Sequence, residues 1–485
     1  MIKFNISQDA FIRAVVIIFF ISAINKLHAQ ERHVDYFLKT QSMVSTSKNI
    51  PFWMHSNRDG IIDQESANLY QEAGFRSLLY NSNNNQFKVN AGANIIGRIS
   101  TNSDIYFSQL FLKASFKKFQ LDIGKPIGLN NHDISLGSMI MSRNADPLVR
   151  IGISMPEFAN VPFTKGAVQY KGLLNHGWME DDRDVSDIRL HQKNLYLKFN
   201  INKFSIIPGF NHHVMWAGKS ERFGKLPSSF SDFTRVLVGL GASEDSDAPG
   251  GEKSNVIGNS IASYDIGVSY EFEKIDVLLT RVFYLEDKVS TRIRSPWDGI
   301  WGVNISFNNR RGLIKSFVYQ HMNTKQQDAK EGQALGRASI FNHFIYTDGW
   351  TSDKRALSNP LIRFNEDRDF IDNNIVIGHH VGFTGAFTNQ IRYKILTTYS
   401  RNYGILRDRD IEPPINRFGD NNKDEFLPLS QFRQDLFSFL FNIEYDIPQF
   451  EHLELNVGIS SDVGEFANNN IGFMLGIKWN NSLDF

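Results

Sequence analysis

The chain has 485 residues, no cysteine and 52 residues each of Lys+Arg and Asp+Glu. The lack of cysteine excludes disulfides, thiolate metal sites, cysteine nucleophiles and a lipidated N-terminal cysteine, and the zero net charge argues against a general attraction to nucleic acid. A mean hydropathy of −0.30 argues against a bundle of membrane helices, although 40 Phe, 15 Tyr and 7 Trp are many for so polar a chain.

The N-terminal segment, residues 1–29, is predicted to be a cleaved signal peptide. Lys3 and Arg13 flank the start of a largely apolar run at residues 14–24. That run has the length of a secretory h-region and falls short of the ~20 residues of a membrane-spanning helix. A polar stretch ending in Ala29 follows, so we expect cleavage after Ala29. The same argument from length disfavours the alternative, an uncleaved membrane anchor.

Residues 30–485 are predicted to form one domain of β-strands. Apolar residues recur at every second position with polar residues between them, which places each set on one face of a sheet. The clearest segments are 87–95, 195–202, 266–272, 301–308, 437–447, 453–459 and 471–479. Many approach the ~10 residues that a tilted strand needs to cross a membrane. Polar residues after Trp479 interrupt the alternation, so the last strand is predicted to end there.

The predicted connections alternate between short and long. Short turns are expected at 116–118, 202–203, 273–274, 309–311, near 389 and at 446–449, and longer connections at 178–188, 214–260, 292–298, 322–374 and 401–431. A soluble β-sandwich rarely sorts its connections by length, whereas outer-membrane barrels have short periplasmic turns and long extracellular loops. The sequence therefore predicts an all-β, transmembrane antiparallel β-barrel of about 18 strands, closed so that no sheet edge meets lipid.

Enzyme signatures are missing from the sequence. It has no nucleophile elbow, zinc-binding H-E-x-x-H, phosphate-binding loop or dinucleotide fingerprint, so we assign no catalytic residue, metal ligand or cofactor and expect no enzyme. His212 with His213 and His379 with His380 resemble metal pairs. Neighbours on a strand point to opposite faces, so neither pair can chelate one ion. An outer-membrane hydrolase stays a minor alternative, because no nucleophile–base pair can be identified.

Two acidic segments are interpreted as loops. Asp420, Asn422 and Asp424 resemble the start of a calcium loop, but Glu425 and Gln431 replace the glycine and glutamate that an EF-hand requires. A looser calcium site in an outer loop stays open. The acidic residues between 180 and 187 are interpreted as a solvated outer loop.

The long loops also carry residue types that bind sugars: Trp178, Trp216, Trp297, Trp350, Arg222, Arg235, Arg363 and Arg368. Aromatic rings stack on the apolar faces of sugars, and arginine pairs with the carboxylates of acidic glycans. The candidate glycan-binding residues are Trp178, Trp216, Arg222, Trp350 and Arg363. The alternative for each tryptophan is a place in the aromatic girdle at the membrane interface.

Three stretches carry a family resemblance: PFWMHSNRDG at 51–60, GSMIMSRN with the RIGI and PEF that follow within 137–158, and HQKNLY, GFNH and WAGK within 191–219. Together they resemble the capsule assembly protein Wzi family, in its version from Bacteroidetes-like bacteria, over most of the mature chain. The resemblance implies an eighteen-stranded outer-membrane barrel that helps capsular polysaccharide attach to the cell surface and is lectin-like. Enterobacterial members carry a helical bundle, for which residues 30–49 are too short, so its periplasmic contact is not carried over.

The leading hypothesis is therefore an outer-membrane protein for assembly and attachment of capsule or exopolysaccharide, binding glycan through its outer loops. Many weak contacts along a repeating polymer would add to useful avidity. The expected partners are capsular or extracellular polysaccharide, outer-membrane lipid and the polysaccharide export machinery, with no nucleic acid. The alternative is a porin-like pore for small solutes, which polar residues expected in the lumen would suit. These are Lys88, Asn90, Lys198, Asn200 and Asn304.

Overall fold

The computed structural model describes residues 33–101, 103–126, 133–246, 248–286, 293, 295–308, 312–327, 339–405 and 432–484. The predicted signal peptide, the calcium-like residues around Asp420 and the turn at 309–311 lie outside these residues. Eighteen strands form one antiparallel sheet. We label them in chain order as β1 His33–Asn49, β2 Glu65–Asn81, β3 Phe87–Ile99, β4 Asp104–Phe116, β5 Phe119–Lys125, β6 Val149–Asn160, β7 Val168–Trp178, β8 Arg189–Ile201, β9 Phe204–Trp216, β10 Asn259–Glu271, β11 Ile275–Glu286, β12 Gly299–Phe307, β13 Ser316–Asn323, β14 Val376–Ala386, β15 Ile391–Asn402, β16 Gln434–Asp446, β17 Leu453–Gly464 and β18 Asn470–Asp484.

The sheet closes on itself because β1 pairs with both β2 and β18. The pairing of β1 with β18 runs from His33 opposite Asp484 to Ser45 opposite Gly472. The last strand therefore continues beyond Trp479, and the prediction that it ends there was wrong. Polar residues are tolerated at that end, since it lies beside the first residues of β1 and near the short turns. The predicted strand number and the closed antiparallel barrel are confirmed.

The outer face of the barrel is apolar, as the period-two pattern predicts. Leu195, Ile266 and Leu475 are among the large apolar side chains that it exposes. Aromatic pairs lie near the short turns, such as Tyr36 with Trp479, whose ring centroids are 5.3 Å apart. An apolar band with aromatic residues at its edge is what a lipid bilayer requires of a barrel.

Among the residues that the structure describes, helices are few and short. They are α1 Phe52–His55, α2 Phe230–Val238 and α3 Gly250–Ser254, all in connections at the long-loop end. Within the described residues, none of the helices has the length and apolarity that crossing a membrane requires. Four short ladders lie in the described parts of the loops: Val185–Ser186 and Gly224–Lys225 each beside Lys219–Ser220, Thr351–Ser352 with Arg355–Ala356, and Arg363–Asn365 with Phe370–Asn373.

Candidate functional site

Loop segments enter the barrel from the long-loop end and fill the outer part of its lumen. They are residues 50–64, 133–148 and 339–375, which we call the plug. Their buried side chains form one core with inward-facing wall residues such as Met43, Met215 and Leu440. The largest of them are fully buried, including Trp53, Trp350, Tyr346 and Phe341. The plug is therefore packed like the interior of a soluble domain.

A chain of hydrogen bonds fixes the plug to the wall. The Trp53 indole Nε1 donates to Thr398 Oγ1 at 3.1 Å, and the Thr398 hydroxyl lies 2.8 Å from His380 Nδ1. His380 Nε2 lies 2.8 Å from the carbonyl oxygen of Ile134. A carbonyl can only accept, so Nε2 carries the proton and Nδ1 accepts from the hydroxyl. His380 faces the lumen and His379 the opposite side, as strand alternation predicts.

Two contacts join plug segments that are distant in sequence. The Trp350 indole Nε1 donates to the carbonyl oxygen of Ile140 at 2.8 Å. Asn144 Nδ2 donates to the carbonyl oxygen of Ala356 at 3.1 Å. Buried polar groups that are satisfied in this way specify one arrangement of the loops, because breaking it leaves donors without partners.

Beneath the plug, the lumen holds a cavity of about 1310 Å³. Its lining extends to residues beside the short turns, including Glu271, Asp276 and Ser316, so the cavity faces the short-turn end. Of the lumen residues predicted from sequence, Asn304 lines it. The described part of the barrel thus has this cavity, which we call the vestibule and which polar and apolar side chains both line, on one side and packed loops on the other.

A hairpin projects from the long-loop end, with Arg222 in its turn. Its strands pair Lys219 with Lys225, and Lys219 Nζ lies 2.6 Å from Asp187. The Arg222 guanidinium lies 5.0 Å from the ring centroid of Phe223, which contacts Phe344 edge-to-face at 6.0 Å. Arg222 and Lys225 are exposed.

Phe344 is 51% exposed, although it is a large apolar side chain. We call Arg222, Phe223, Lys225 and Phe344 the Arg222 patch. Among the described residues, no carboxylate forms an ion pair with Arg222. The patch therefore combines an exposed ring with an available guanidinium.

The structure does not bring the five candidate glycan-binding residues together. Trp216 is 1% exposed and Trp350 is 0% exposed, so each serves in packing, and a glycan would reach them only after the loops rearranged. Trp178 is half-buried on the outer wall, edge-to-face with His176 at 5.7 Å. Arg363 is exposed, but Asp372 accepts two hydrogen bonds from it at 2.8 and 2.9 Å. Arg222 is the candidate that is exposed and, within the described part of the chain, forms no ion pair.

An acidic group lies near the same rim. Carboxylate oxygens of Asp184, Asp348 and Asp369 lie within 4.8 Å of one another, the one such group among the described residues. Burial is the main cause that raises the pKa of Asp348, and the nearby charge of Arg183 lowers it by a smaller amount. Arg183 lies beside the group, with Nη1 at 2.6 Å from Glu180 and Nε at 3.7 Å from Asp348. Its guanidinium offsets part of the negative charge. We therefore interpret the cluster as part of an ion-pair network that joins the loops.

A family model described as "Capsule assembly protein Wzi" matches residues 44–466. The chain belongs to the capsule assembly protein Wzi family. The match spans the barrel from β1 through β17, with the plug and the Arg222 patch inside it. Together with the closed barrel and its apolar outer band, this membership places the chain in the outer membrane. No curated protein sequence matches the chain.

Among solved structures, the chain is similar to Wzi from Escherichia coli, described as an outer membrane protein involved in group 1 capsule assembly and as a carbohydrate-binding β-barrel. The TM-score is 0.55 at 14% identity, covering 97% of this chain and 88% of that one. It is also similar to OpdK with vanillate and OccK3 (OpdO) from Pseudomonas aeruginosa, each with a TM-score of 0.49 at 10% identity. These cover 93% and 96% of this chain and 99% of theirs. Scores below 0.5 bear on neither fold nor function, whereas the likeness to Wzi supports the barrel fold.

Proposed function

We propose that this barrel is a non-enzymatic lectin that holds capsular or extracellular polysaccharide at the cell surface through its outer loops. The observation that carries the proposal is the plug. Residues 50–64, 133–148 and 339–375 are packed into the outer part of the lumen around buried Trp53 and Trp350. The described loops thus present a folded surface to the outside, which suits a binding protein better than an open pore.

The Arg222 patch has the chemistry of a site for an acidic glycan. Phe344 offers an exposed ring to the C–H faces of sugar rings, and Arg222 offers a planar pair of donors to a uronate carboxylate. One such patch binds a short glycan weakly. A polymer that repeats the same unit rebinds after each dissociation, so the effective affinity rises with chain length.

The family name and the carbohydrate binding described for the Escherichia coli structure support this proposal. On this view, export machinery delivers the polymer, outer-membrane lipid holds the barrel in place, and the barrel retains the polymer at the surface. The vestibule beneath the plug faces the other side of the membrane, so it takes no part in holding the surface polymer.

The test is a partition of polysaccharide in a strain that lacks the gene. It would be complemented with the wild type, with an Arg222→Ala, Phe344→Ala double variant, or with Lys118→Ala. Lys118 pairs with exposed Glu157 beside a short turn, so it is an exposed cation on the opposite side of the membrane. Polymer is measured on washed cells and in the supernatant, and affinity for the isolated polymer is measured on the purified barrels.

In cells that carry the double variant, polymer is expected to move from the cell surface to the supernatant while the total amount of polymer stays constant. Loss of a charged hydrogen bond and a stacking ring is expected to weaken affinity about tenfold or more. Lys118→Ala is expected to behave as the wild type. An unchanged partition in the deletion strain would show that the chain does not anchor polymer. An altered partition with wild-type binding by the double variant would place the glycan on another part of the surface.

A further inference from the structure

A second apolar core lies outside the barrel, beneath the loop that joins β9 to β10. It consists of Val214, Trp216, Ala217, Val236, Ala242 and Ile257. Trp216 lies on the outward face of β9, because Asn211 and His213 at odd positions of that strand line the lumen cavity. The loop therefore folds over the outer wall and not into the lumen. We call its described residues 228–246 and 248–257 the outer lobe.

Helix α2 of the outer lobe descends along the wall from the rim. Arg189 at the start of β8 donates to the carbonyl oxygen of Ser228 at 3.4 Å, just before the helix. Lys193 donates to the carbonyl oxygen of Val236 at 3.4 Å, in its last turn. These strand positions are four residues, or ~13 Å, apart, which is also the length of a nine-residue helix. The helix thus lies roughly along the strand, with its C-terminus nearer the membrane.

One face of this helix packs on the wall. The ring of Phe233 contacts His176 of β7 at 5.4 Å, His191 of β8 at 5.5 Å and Trp216 of β9 at 5.7 Å. The helix ends at Gly239, whose φ of 70° suits glycine and reverses the chain. A Cβ at Gly239 would lie 3.8 Å from the ring of His212, so the reversal also rests on β9.

Large apolar side chains are exposed on the opposite side of the lobe. Phe230 is 81% exposed, Val238 is 65% exposed, and Leu240 just after the reversal is 53% exposed. Thr234 lies between them at helical spacing and carries no charge. Further down the same wall, Leu195 of β8 and Phe210 of β9 are exposed members of the lipid-facing band. The apolar surface of the lobe therefore continues the band upward.

We infer that the outer lobe is an interfacial anchor, whose tip at Val238 and Leu240 enters the hydrocarbon edge of the outer leaflet. An exposed apolar stripe costs free energy in water, and contact with lipid acyl chains removes that cost. The occupant is lipid and not a second protein, because the stripe is continuous with a surface that lipid already covers. The hairpin of residues 219–225, which carries Arg222, belongs to the same loop. The anchor therefore fixes the height of this hairpin above the membrane.

The absence of cysteine from the chain makes the test direct, since each introduced cysteine is unique. Single variants Phe230→Cys, Val238→Cys and Leu240→Cys are spin-labelled in the full-length barrel, in vesicles of phosphatidylcholine and phosphatidylglycerol. Collision rates with oxygen, which concentrates in lipid, and with a water-soluble nickel complex give the depth of each label. Leu195→Cys is the lipid reference and Arg222→Cys the aqueous reference. Heat-modifiable migration on gels verifies that each barrel is folded.

Labels at 238 and 240 are expected to match the Leu195 reference, with high oxygen and low nickel accessibility. The label at 230 is expected to lie between the two references, because the helix starts at the rim. Nickel accessibility at 238 and 240 equal to that at 222 would place the tip in water and overturn the inference. Low accessibility to both reagents with an immobilised label would show that protein covers the tip, which also overturns it.

Discussion

The guanidinium of Arg143 holds the carboxylate of Asp59 in a forked contact, with Nε at 2.9 Å from Oδ1 and 3.1 Å from Oδ2 and a further bond from Nη2. The backbone N–H of Asp59 also donates to the carbonyl oxygen of Arg143 at 2.6 Å. The hydrogen bonds to Asp59 are the main cause that raises the pKa of Arg143. This contact joins plug segments 50–64 and 133–148 above the vestibule.

Removing the contact between Asp59 and Arg143 is expected to weaken the packing of the plug segments. In Asp59→Ala, Arg143 loses its forked partner, and docking of the plug segments is expected to weaken by about 2 kcal/mol. The figure lies below that for a fully buried pair because Arg143 is partly exposed and Asp133 lies 3.5 Å from its Nη1. Single-channel recording in planar bilayers should show low conductance for the wild type and frequent openings for the variant.

Glu157→Ala is the control for that experiment, because it removes an exposed ion pair with Lys118 beside a short turn. Its conductance is expected to equal that of the wild type, since exposed pairs contribute little. Steady high conductance of the wild-type barrel would contradict the sealing role of the plug and favour the pore.

Truncation of Trp350 is expected to have a large effect, and truncation of Trp297 a small one. Trp350 is fully buried and hydrogen-bonded to Ile140, whereas Trp297 is 60% exposed. Trp350→Ala is expected to cost about 3–5 kcal/mol locally and to expose residues 339–375 to protease on intact vesicles. Trp297→Ala is expected to change protease sensitivity little. Equal protection of the loops in both variants would mean that Trp350 does not hold the plug.

The barrel could be predicted because lipid and lumen impose a period of two on every crossing strand. Leu195, Leu197 and Phe199, with Tyr196 and Lys198 between them, show this pattern without knowledge of any partner strand. The alternation of short and long connections then supplied orientation and an even strand number. The continuation of β18 past Trp479 was missed, because pairing with β1 holds polar residues that no periodicity marks.

The plug and the outer lobe could not be predicted, because contacts between distant loops decide them. Trp350 contacts Ile140, and Phe233 contacts His191, and no repeating pattern in the sequence marks either of these contacts. One local signal was present in the sequence. Ser229 and Asp232 form a capping box and Gly239 ends helix α2, which are recognisable start and stop residues. Where that helix docks, and that it buries Trp216, depends on the folded wall.

The outer lobe is expected to lose order as pH rises. Burial raises the pKa of Glu252 from 4.5 to about 7, Asp232 raises it further, and a hydrogen bond from the backbone N–H of Gly258 lowers it. The folded lobe therefore holds a proton that the unfolded lobe releases, so its stability is full below pH 4.5 and falls as pH rises to about 7. The loss is expected to be at most about 3 kcal/mol.

Hydrogen exchange of residues 230–257, corrected for the intrinsic rate at each pH, measures this loss between pH 5 and 8. Glu252→Gln keeps the shape of the side chain and removes the titration, so its protection is expected to be independent of pH. Equal pH dependence of the wild type and Glu252→Gln would assign the effect to another group.

At Gly382 the barrel wall is expected to have no room for a side chain, because plug segment 133–148 packs directly on its backbone. A Cβ there would lie 2.1 Å from the carbonyl oxygen of Ile134, whereas a Cβ at Gly97 in β3 would have nothing within 4 Å. Gly382→Ala is expected to displace segment 133–148 at a cost of about 1–3 kcal/mol. Gly97→Ala restricts only the unfolded chain and is expected to be neutral or slightly stabilising. Hydrogen exchange of residues 133–148 in both variants separates the two outcomes.

The displacement in Gly382→Ala would also break the hydrogen bond between His380 and Ile134. Trp53 is held by the Thr398 hydroxyl that contacts the same histidine. Hydrogen exchange in residues 50–64 is therefore expected to rise as well.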